Sequence, residues 1–289
     1  RRLAVPATGA CWLGRRHMTD KHLPDEQTLA FIGGGHITEI LLHNLVRARG
    51  PAGVIVSDPL EERRQHLHEE FRVETAADNT AAARRGDLIL INLRPEVVAS
   101  VIPELVRAGL SRDQVVISLA AGIPLSRYAV LGPEQPLVRG LPNPPSRIGQ
   151  GVAALAFTPQ VTDEQRAVVR ALFASLGQVV EVDEASLNLI TALSSPAATL
   201  LFFEALVDAG VRGGLPRKVA TEVASQTISG SLAMWRERSI SPADLIAEAA
   251  TPGGISVETL FVLEQRAFKG AIMEAIERGA ERAAVLAQV

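Results

Sequence analysis

The sequence predicts a doubly wound α/β domain followed by an all-helical domain, and three observations carry this reading. Short Val/Ile/Leu-rich runs alternate with amphipathic helical stretches in the first part of the chain. A glycine-rich turn follows the first of those runs. After Asp183 the strand pattern stops and only helical periodicity continues. Uninterrupted apolar strands between helices indicate a parallel sheet buried on both faces, because a sheet with one wet face would alternate apolar and polar residues.

The elements follow in order. Thr28-Leu-Ala-Phe-Ile32 is the first strand and runs into Gly33-Gly34-Gly35, after which Ile37, Ile40, Leu41 and Leu45 share one helical face. Gly53-Val-Ile-Val-Ser57 is the second strand, ending at Asp58. A charged helix from Glu61 to Phe71, a short segment holding Val73, and a helix from Asn79 to Arg85 come next. Asp87-Leu-Ile-Leu-Ile-Asn92 and Gln114-Val-Val-Ile-Ser118 are strands, with helical spacing from Val97 to Ala108 between them. Two short strands are expected near Leu137-Val138 and from Val152 to Phe157. Thr162 caps a helix reaching Leu176, with Asp163 and Glu164 in its first turn, and Gln178-Val-Val-Glu-Val182 closes the series. Helices are then expected at about 184–210, 216–236, 242–250 and 256–288. The expected domains are therefore 27–183, dinucleotide-binding, and 184–289, helical.

Bulk composition narrows the function. A formal net charge of −3, with no long run of Lys or Arg, argues against nucleic acid and anionic membrane as partners. No charge-free span of 18 apolar residues is found, so no transmembrane helix is expected. Cys11 is the single cysteine and the six histidines do not cluster; His66 and His68 point to different helix faces, so no bound metal is expected. Residues 1–17, ending at the His17-Met18 junction, read as a vector-derived leader or a natural disordered arm. The stretch Asn188 to Val207 is apolar nearly throughout, apart from breaks at Pro196 and Glu204. Such a helix needs cover on all sides, which a subunit interface with interleaved helices would provide.

Three clusters carry chemistry. In the strand–Gly33-x-Gly35-x-x-Thr38–helix turn, Gly33 permits the tight turn and Gly35 lets the backbone approach a pyrophosphate, which the helix N-terminus receives. This is the fingerprint of a Rossmann dinucleotide site, with Thr38 in place of the third glycine. Asp58 lies 23 residues past Gly35, at the end of the second strand, where an acid accepts from the adenosine ribose and favours NAD over NADP. Arg63 and Arg64 could turn inward to a 2′-phosphate, but a solvated helix face shared with Glu61 and Glu62 is the expectation. In Leu141-Pro-Asn143-Pro-Pro145 three prolines stiffen a loop around one amide. Thr251-Pro-Gly-Gly-Ile-Ser256 opens a helix whose free N–H groups suit a carboxylate, with Ser256 expected at the N-cap.

The ordered set FIGGGHIT (31–38), NLRP (92–95), VISLAAGIPL (116–125), LPNPP (141–145), EALVDAGVRGGLPR (204–217) and TPGGIS (251–256) resembles the pyrroline-5-carboxylate reductase family, from Thr28 to about Gln288. The resemblance implies a cytoplasmic oxidoreductase of proline biosynthesis that reduces the C=N bond of a cyclic imino acid with NADPH or NADH. It implies that Gly33, Gly35, His36 and Ile37 lie along the dinucleotide, that Asn79 contacts it, and that Arg94, Ala120, Ala121 and Asn143 border the nicotinamide. It also implies that Gly253, Gly254 and Ile255 hold the substrate carboxylate, that the Ser256 hydroxyl serves the imine nitrogen as the catalytic group, and that Ser195 borders the substrate. Interlocked homodimers, with each site built by two chains, are implied as well. The chain departs from the family pattern in three places. The loop at Leu193-Ser194-Ser195-Pro196-Ala197-Ala198 is two residues shorter than the family's, which carries Gly-Ser-Gly-Pro-Ala-Tyr, and lacks its Tyr; Asn-Pro-Pro stands for Asn-Thr-Pro, and Glu39 for an apolar residue. These leave open a reductase of a modified or larger cyclic imine, and a non-catalytic dinucleotide-binding paralogue. A β-hydroxyacid dehydrogenase would need a lysine on its central helix, and none lies between Lys21 and Lys218.

Overall fold

Four-residue apolar runs become strands here because each can bury both of its faces. The computed structural model describes residues 27–238 and 240–286, so the expected leader at 1–17, with Cys11, lies outside the described residues. The chain runs β1 (Leu29–Ile32), α1 (His36–Arg49), β2 (Val54–Ser57), α2 (Glu61–Phe71), β3 (Glu74–Ala76), α3 (Asn79–Arg85), β4 (Leu88–Ile91), α4 (Pro95–Ala108) and β5 (Val115–Ser118). It continues through β6 (Leu137–Pro142), β7 (Gly151–Phe157), α5 (Asp163–Ala174) and β8 (Gly177–Glu181), with 3-10 turns at Leu125–Leu131 and Pro144–Ile148. One sheet holds all eight strands in the order β3-β2-β1-β4-β5-β6-β7-β8.

Period-two alternation divides the core. Leu29 and Phe31 of β1 join Val54, Val56, Leu88 and Leu90 under α1, α2 and α5. Ala30 and Ile32 join Ile55, Ile89 and Ile91 under α3 and α4. Both faces are thus covered, as the unbroken Val/Ile/Leu runs require. One pair departs from the expected all-parallel sheet: β6 and β7 are antiparallel. The physical reason is their link, a single 3-10 turn at Pro144–Ile148, which is too short for the crossover that parallel neighbours need. The segment near Val73 also differs slightly, with β3 starting at Glu74 and Val73 itself fully buried.

The helical part contains α6 (Leu187–Leu193), α7 (Pro196–Arg212), α8 (Arg217–Arg238), α9 (Pro242–Ala249), α10 (Ile255–Gln265) and α11 (Phe268–Leu286). Two expected helices are therefore broken. The 184–210 helix stops at Ser194–Ser195, because Pro196 donates no backbone hydrogen bond and disfavours helical geometry in the residue before it. The 256–288 helix stops at Arg266–Ala267, where Ala267 takes φ +51°. By length and composition alone Glu184–Arg212 is long and apolar enough to cross a membrane, contrary to the expectation, although Pro196 divides it into α6 and α7.

Two compact units emerge: Ala197–Ile272, and the rest of the described chain. In the larger unit Leu187 packs with Ala154 and Ala156, and a Cβ on Gly279 would stand 2.9 Å from the Ala192 methyl, so α11 lies close on α6. In the smaller unit Val207, Ala220 and Ala224 form the core, and a Cβ on Gly210 would stand 2.9 Å from that of Ala220. Phe202 and Phe268 meet there with ring centres 5.9 Å apart.

Candidate active site

The strand order reverses between β1 and β4, and ligands of open α/β sheets bind at the carboxyl ends of strands at that reversal. The glycine turn leaves β1 there. Gly33 has φ +98°, which disfavours side chains, and a Cβ on it would stand 2.6 Å from the Asn92 carbonyl oxygen. A Cβ on Gly34 would stand 2.7 Å from Leu67, whereas one on Gly35 would meet nothing within 4 Å. The first two glycines are therefore demanded by the fold, and the third keeps space open in front of α1. Gly35 caps α1 through its backbone alone, and the amides of His36 and Ile37 follow in the first turn, where helical N–H groups lack intrahelical acceptors. An open space before uncapped amides fits a diphosphate.

Thr38, standing for the third glycine, is fully buried. Its hydroxyl donates to the Gly33 carbonyl at 2.6 Å and accepts from the Asn92 amide at 2.6 Å. A polar brace from β4 thus fixes the turn where a glycine would have let helix and strand close up. Sequence reading missed this brace, although Asn92 stood within a quoted motif.

The carboxylate of Asp58 accepts from the Gly34 amide at 2.9 Å and the Leu60 amide at 3.0 Å, so it holds the turn as well as facing it. Arg63 and Arg64 do not lie on a solvated face as expected. Arg64 donates to the Asp58 and Pro59 carbonyls at 2.8 and 2.9 Å, and Arg63 donates through Nε to the Gly34 carbonyl. Loop carbonyls without helical partners draw both guanidinium groups inward. Arg63 also meets Glu39 at 2.7 Å, and His66 Nε2 lies 3.0 Å from the same oxygen. Partial burial of Glu39 opposes its ionisation, but the hydrogen bond and charge of Arg63, aided by His66, prevail and hold its pKa below the ordinary value. In the sequence Glu39 was visible as a departure; its partners, on another helix, were not.

Asn79 opens α3, where its side-chain oxygen accepts from the Ser57 hydroxyl at 2.6 Å and its nitrogen donates to Glu104 at 2.7 Å. Arg94 precedes α4 with its side chain exposed and without an ion pair among the described residues. Ala120, buried, and Ala121, exposed, follow β5. Asn143 follows β6; it accepts from the Val152 amide at 2.8 Å and donates to the Ser194 carbonyl at 3.0 Å. Its amide therefore ties the start of β7 to the end of α6, beside exposed Ser195. Behind β5, Tyr128 is fully buried with its hydroxyl 2.8 Å from that of Ser118. Burial pushes the phenol pKa up to about 12, against the opposing hydrogen bond of Ser118 and charge of Arg139.

The second cradle is in the smaller unit. Gly253 has φ +73°, and a Cβ on Gly254 would stand 2.6 Å from the Thr251 hydroxyl oxygen. Gly254, not Ser256, is the N-cap of α10, and it offers no side-chain hydrogen bond. Ser256 instead occupies the second helical position, because the Gly254 amide already closes the preceding turn onto the Thr251 carbonyl at 2.9 Å. The amides of Ile255 and Ser256 thus open a helix with no side chain capping them, and both residues are exposed.

A family model for pyrroline-5-carboxylate reductase dimerisation matches residues 184–286, and one described as NADP oxidoreductase coenzyme F420-dependent matches residues 28–122. The chain is 34% identical to a Synechocystis pyrroline-5-carboxylate reductase, over 88% of this chain and 96% of the relative. It is 30% identical to that of Escherichia coli, over 91% and 99%. Among solved structures, a Coxiella burnetii pyrroline-5-carboxylate reductase matches with TM-score 0.83 and 27% identity, covering 90% of this chain and 98% of the other. A Plasmodium falciparum pyrroline carboxylate reductase with NADP bound matches with TM-score 0.80 and 26% identity, covering 91% and 99%. Likeness at this identity, across both compact units and nearly the full length of the relatives, places the chain in the pyrroline-5-carboxylate reductase family, oxidoreductases acting on CH–NH groups.

Proposed function

We propose that this protein reduces the C=N bond of 1-pyrroline-5-carboxylate to give L-proline. The observation that carries the reading is the presence, within one chain of this family, of two helix starts capped by glycine backbone alone, one at α1 and one at α10, each suited to an anion. The names of the relatives favour neither a larger imine nor a non-catalytic paralogue. A nicotinamide dinucleotide, when bound, supplies the hydride. The turn from Gly33 to Ile37 would hold its diphosphate, Asp58 its ribose, and Asn79, Arg94, Ala120, Ala121 and Asn143 would border the rest. Asp58 is the ground for preferring NADH, since a carboxylate there repels a 2′-phosphate.

The substrate carboxylate would rest on the amides from Gly254 to Ser256, with Gly253 shaping the turn and Ser195 on the substrate side. The Ser256 hydroxyl would hold the proton of the imine nitrogen. A protonated imine is already a good hydride acceptor, so orientation and electrostatics are what the protein must add. That accounts for a site without an obvious His or Lys acid. We further propose a division of the chain at residues 183 and 184, interlocked C-terminal helices in a homodimer whose sites draw on both chains, and a cytoplasmic location.

The test is nicotinamide oxidation with a panel of five- and six-membered cyclic imino acids and both dinucleotides. Turnover is expected to be highest with pyrroline-5-carboxylate; preference for a six-membered ring, or no turnover with any, overturns the proposal. Ser256→Ala is expected to lower turnover about tenfold, equivalent to about 1.4 kcal/mol of barrier, and an unchanged rate removes Ser256 from the chemistry.

A further inference from the structure

The glycine turn is bordered by more charge than a diphosphate site requires. Asp58 and Arg63 both touch Gly34: the carboxylate takes its amide at 2.9 Å, and the guanidinium donates to its carbonyl. A Cβ on Gly34 would stand 3.2 Å from Asp58 Oδ2 and 3.4 Å from Arg63 Cγ, so the two side chains flank the same residue. Arg64 wraps the turn after β2 through the carbonyls of Asp58 and Pro59. Two arginines in the first turn of α2, just past β2, would by themselves make a site for a phosphate ester. Arg63, however, is committed. Its second nitrogen reaches the Glu39 carboxylate at 2.7 Å, and Glu39 is about one quarter exposed, like Arg63, so solvent screens the pair only in part. His66 steadies the same carboxylate at 3.0 Å, and His36 lies 3.8 Å from its other oxygen.

Arg63 is therefore charge-matched by Glu39 before any ligand arrives, while Arg64 is held by the backbone carbonyls of Asp58 and Pro59. We infer that Glu39 is a specificity-determining residue: by claiming Arg63 it withholds a cation from the 2′-phosphate that distinguishes NADP(H) from NAD(H). The inference rests on the dinucleotide reading of the Gly33–Gly35 turn and deepens it. Asp58 discourages the phosphate by repulsion, whereas Glu39 acts at one remove, through the arginine. Removing the Glu39 charge frees one positive charge beside the turn; removing Arg63 as well cancels the gain.

Calorimetric titration of the full chain with NAD+ and with NADP+ tests this without relying on turnover. Glu39→Gln, which keeps size and exposure, is expected to move the affinity ratio toward NADP+ by roughly tenfold, as one partly screened charge at short range would. The same substitution made on an Arg63→Met background is expected to leave the ratio where Arg63→Met alone puts it, because coupled residues are not additive. Thermal melts confirm that each variant is folded. An unchanged ratio in Glu39→Gln, or a shift that survives without Arg63, overturns the role of Glu39. Absence of binding by either dinucleotide in the unsubstituted chain overturns the cofactor site itself, a result distinct from the first two.

Discussion

Single residues in the first turn divide their duties sharply. Gly33→Ala must adopt φ +98° and push against the Asn92 carbonyl, so it is expected to destabilise the fold by about 1–3 kcal/mol. Gly35→Val meets open space, so the melting temperature should hardly change while dinucleotide affinity is lost. Thermal unfolding and calorimetry separate the two effects, and tight dinucleotide binding by Gly35→Val would contradict the cradle. Both glycines were legible in the sequence, as was Asp58, because a fingerprint fixes them by spacing. Thr38 was legible as a missing glycine but not as the centre of a brace, since its partner Asn92 lies 54 residues away. Residue type favours Ser256 for the N-cap, yet Gly254 holds that position because backbone already closes the turn before it.

At the scale of elements, strands and helices of the sheet domain were legible wherever burial set the pattern, as in β1, β2, β4 and β5. The antiparallel β6–β7 pair was not, because strand direction follows from the connecting turn and leaves no mark in an apolar run. The 3-10 turn at Leu125–Leu131 was not legible either, and it carries Tyr128 into the core under β5. Tyr128 is the one tyrosine in the chain, which makes its titration a single-site measurement. Folded protein should develop phenolate absorbance only near pH 12, and unfolded protein near pH 10. A pKa raised in the folded state means that the neutral phenol is favoured there. Its contribution is complete below pH 10 and is lost as the pH rises from 10 toward about 12. Tyr128→Phe should abolish that loss and, by leaving the buried Ser118 hydroxyl without its partner, cost about 1–3 kcal/mol at neutral pH. Phenolate appearing at pH 10 in folded protein would contradict the burial.

For the whole molecule, the helical unit leaves many large apolar side chains uncovered within one chain, including Leu200, Leu201, Val223 and Phe261. A dimerisation family model spans them, and a partner chain would supply the missing cover. Leu201, 68% exposed in the single chain, is a sensitive place to test this. Leu201→Glu is expected to convert a dimer into monomers in analytical ultracentrifugation and, under the proposal that each site draws on both chains, to abolish turnover; an unaltered dimer would contradict the proposed interface. The apolar run from Asn188 to Val207 makes an interface legible in the sequence, whereas its division into two helices follows from the backbone restriction at Pro196.

The bare start of α10 has one more implication. Gly254 contributes no side-chain cap to the helix that follows it, so a carboxylate bound there, as proposed, would take the place of the missing cap. Recognition and local ordering would then be one event: the ligand would finish a piece of the protein's own architecture, and its departure would return that end of the helix to water.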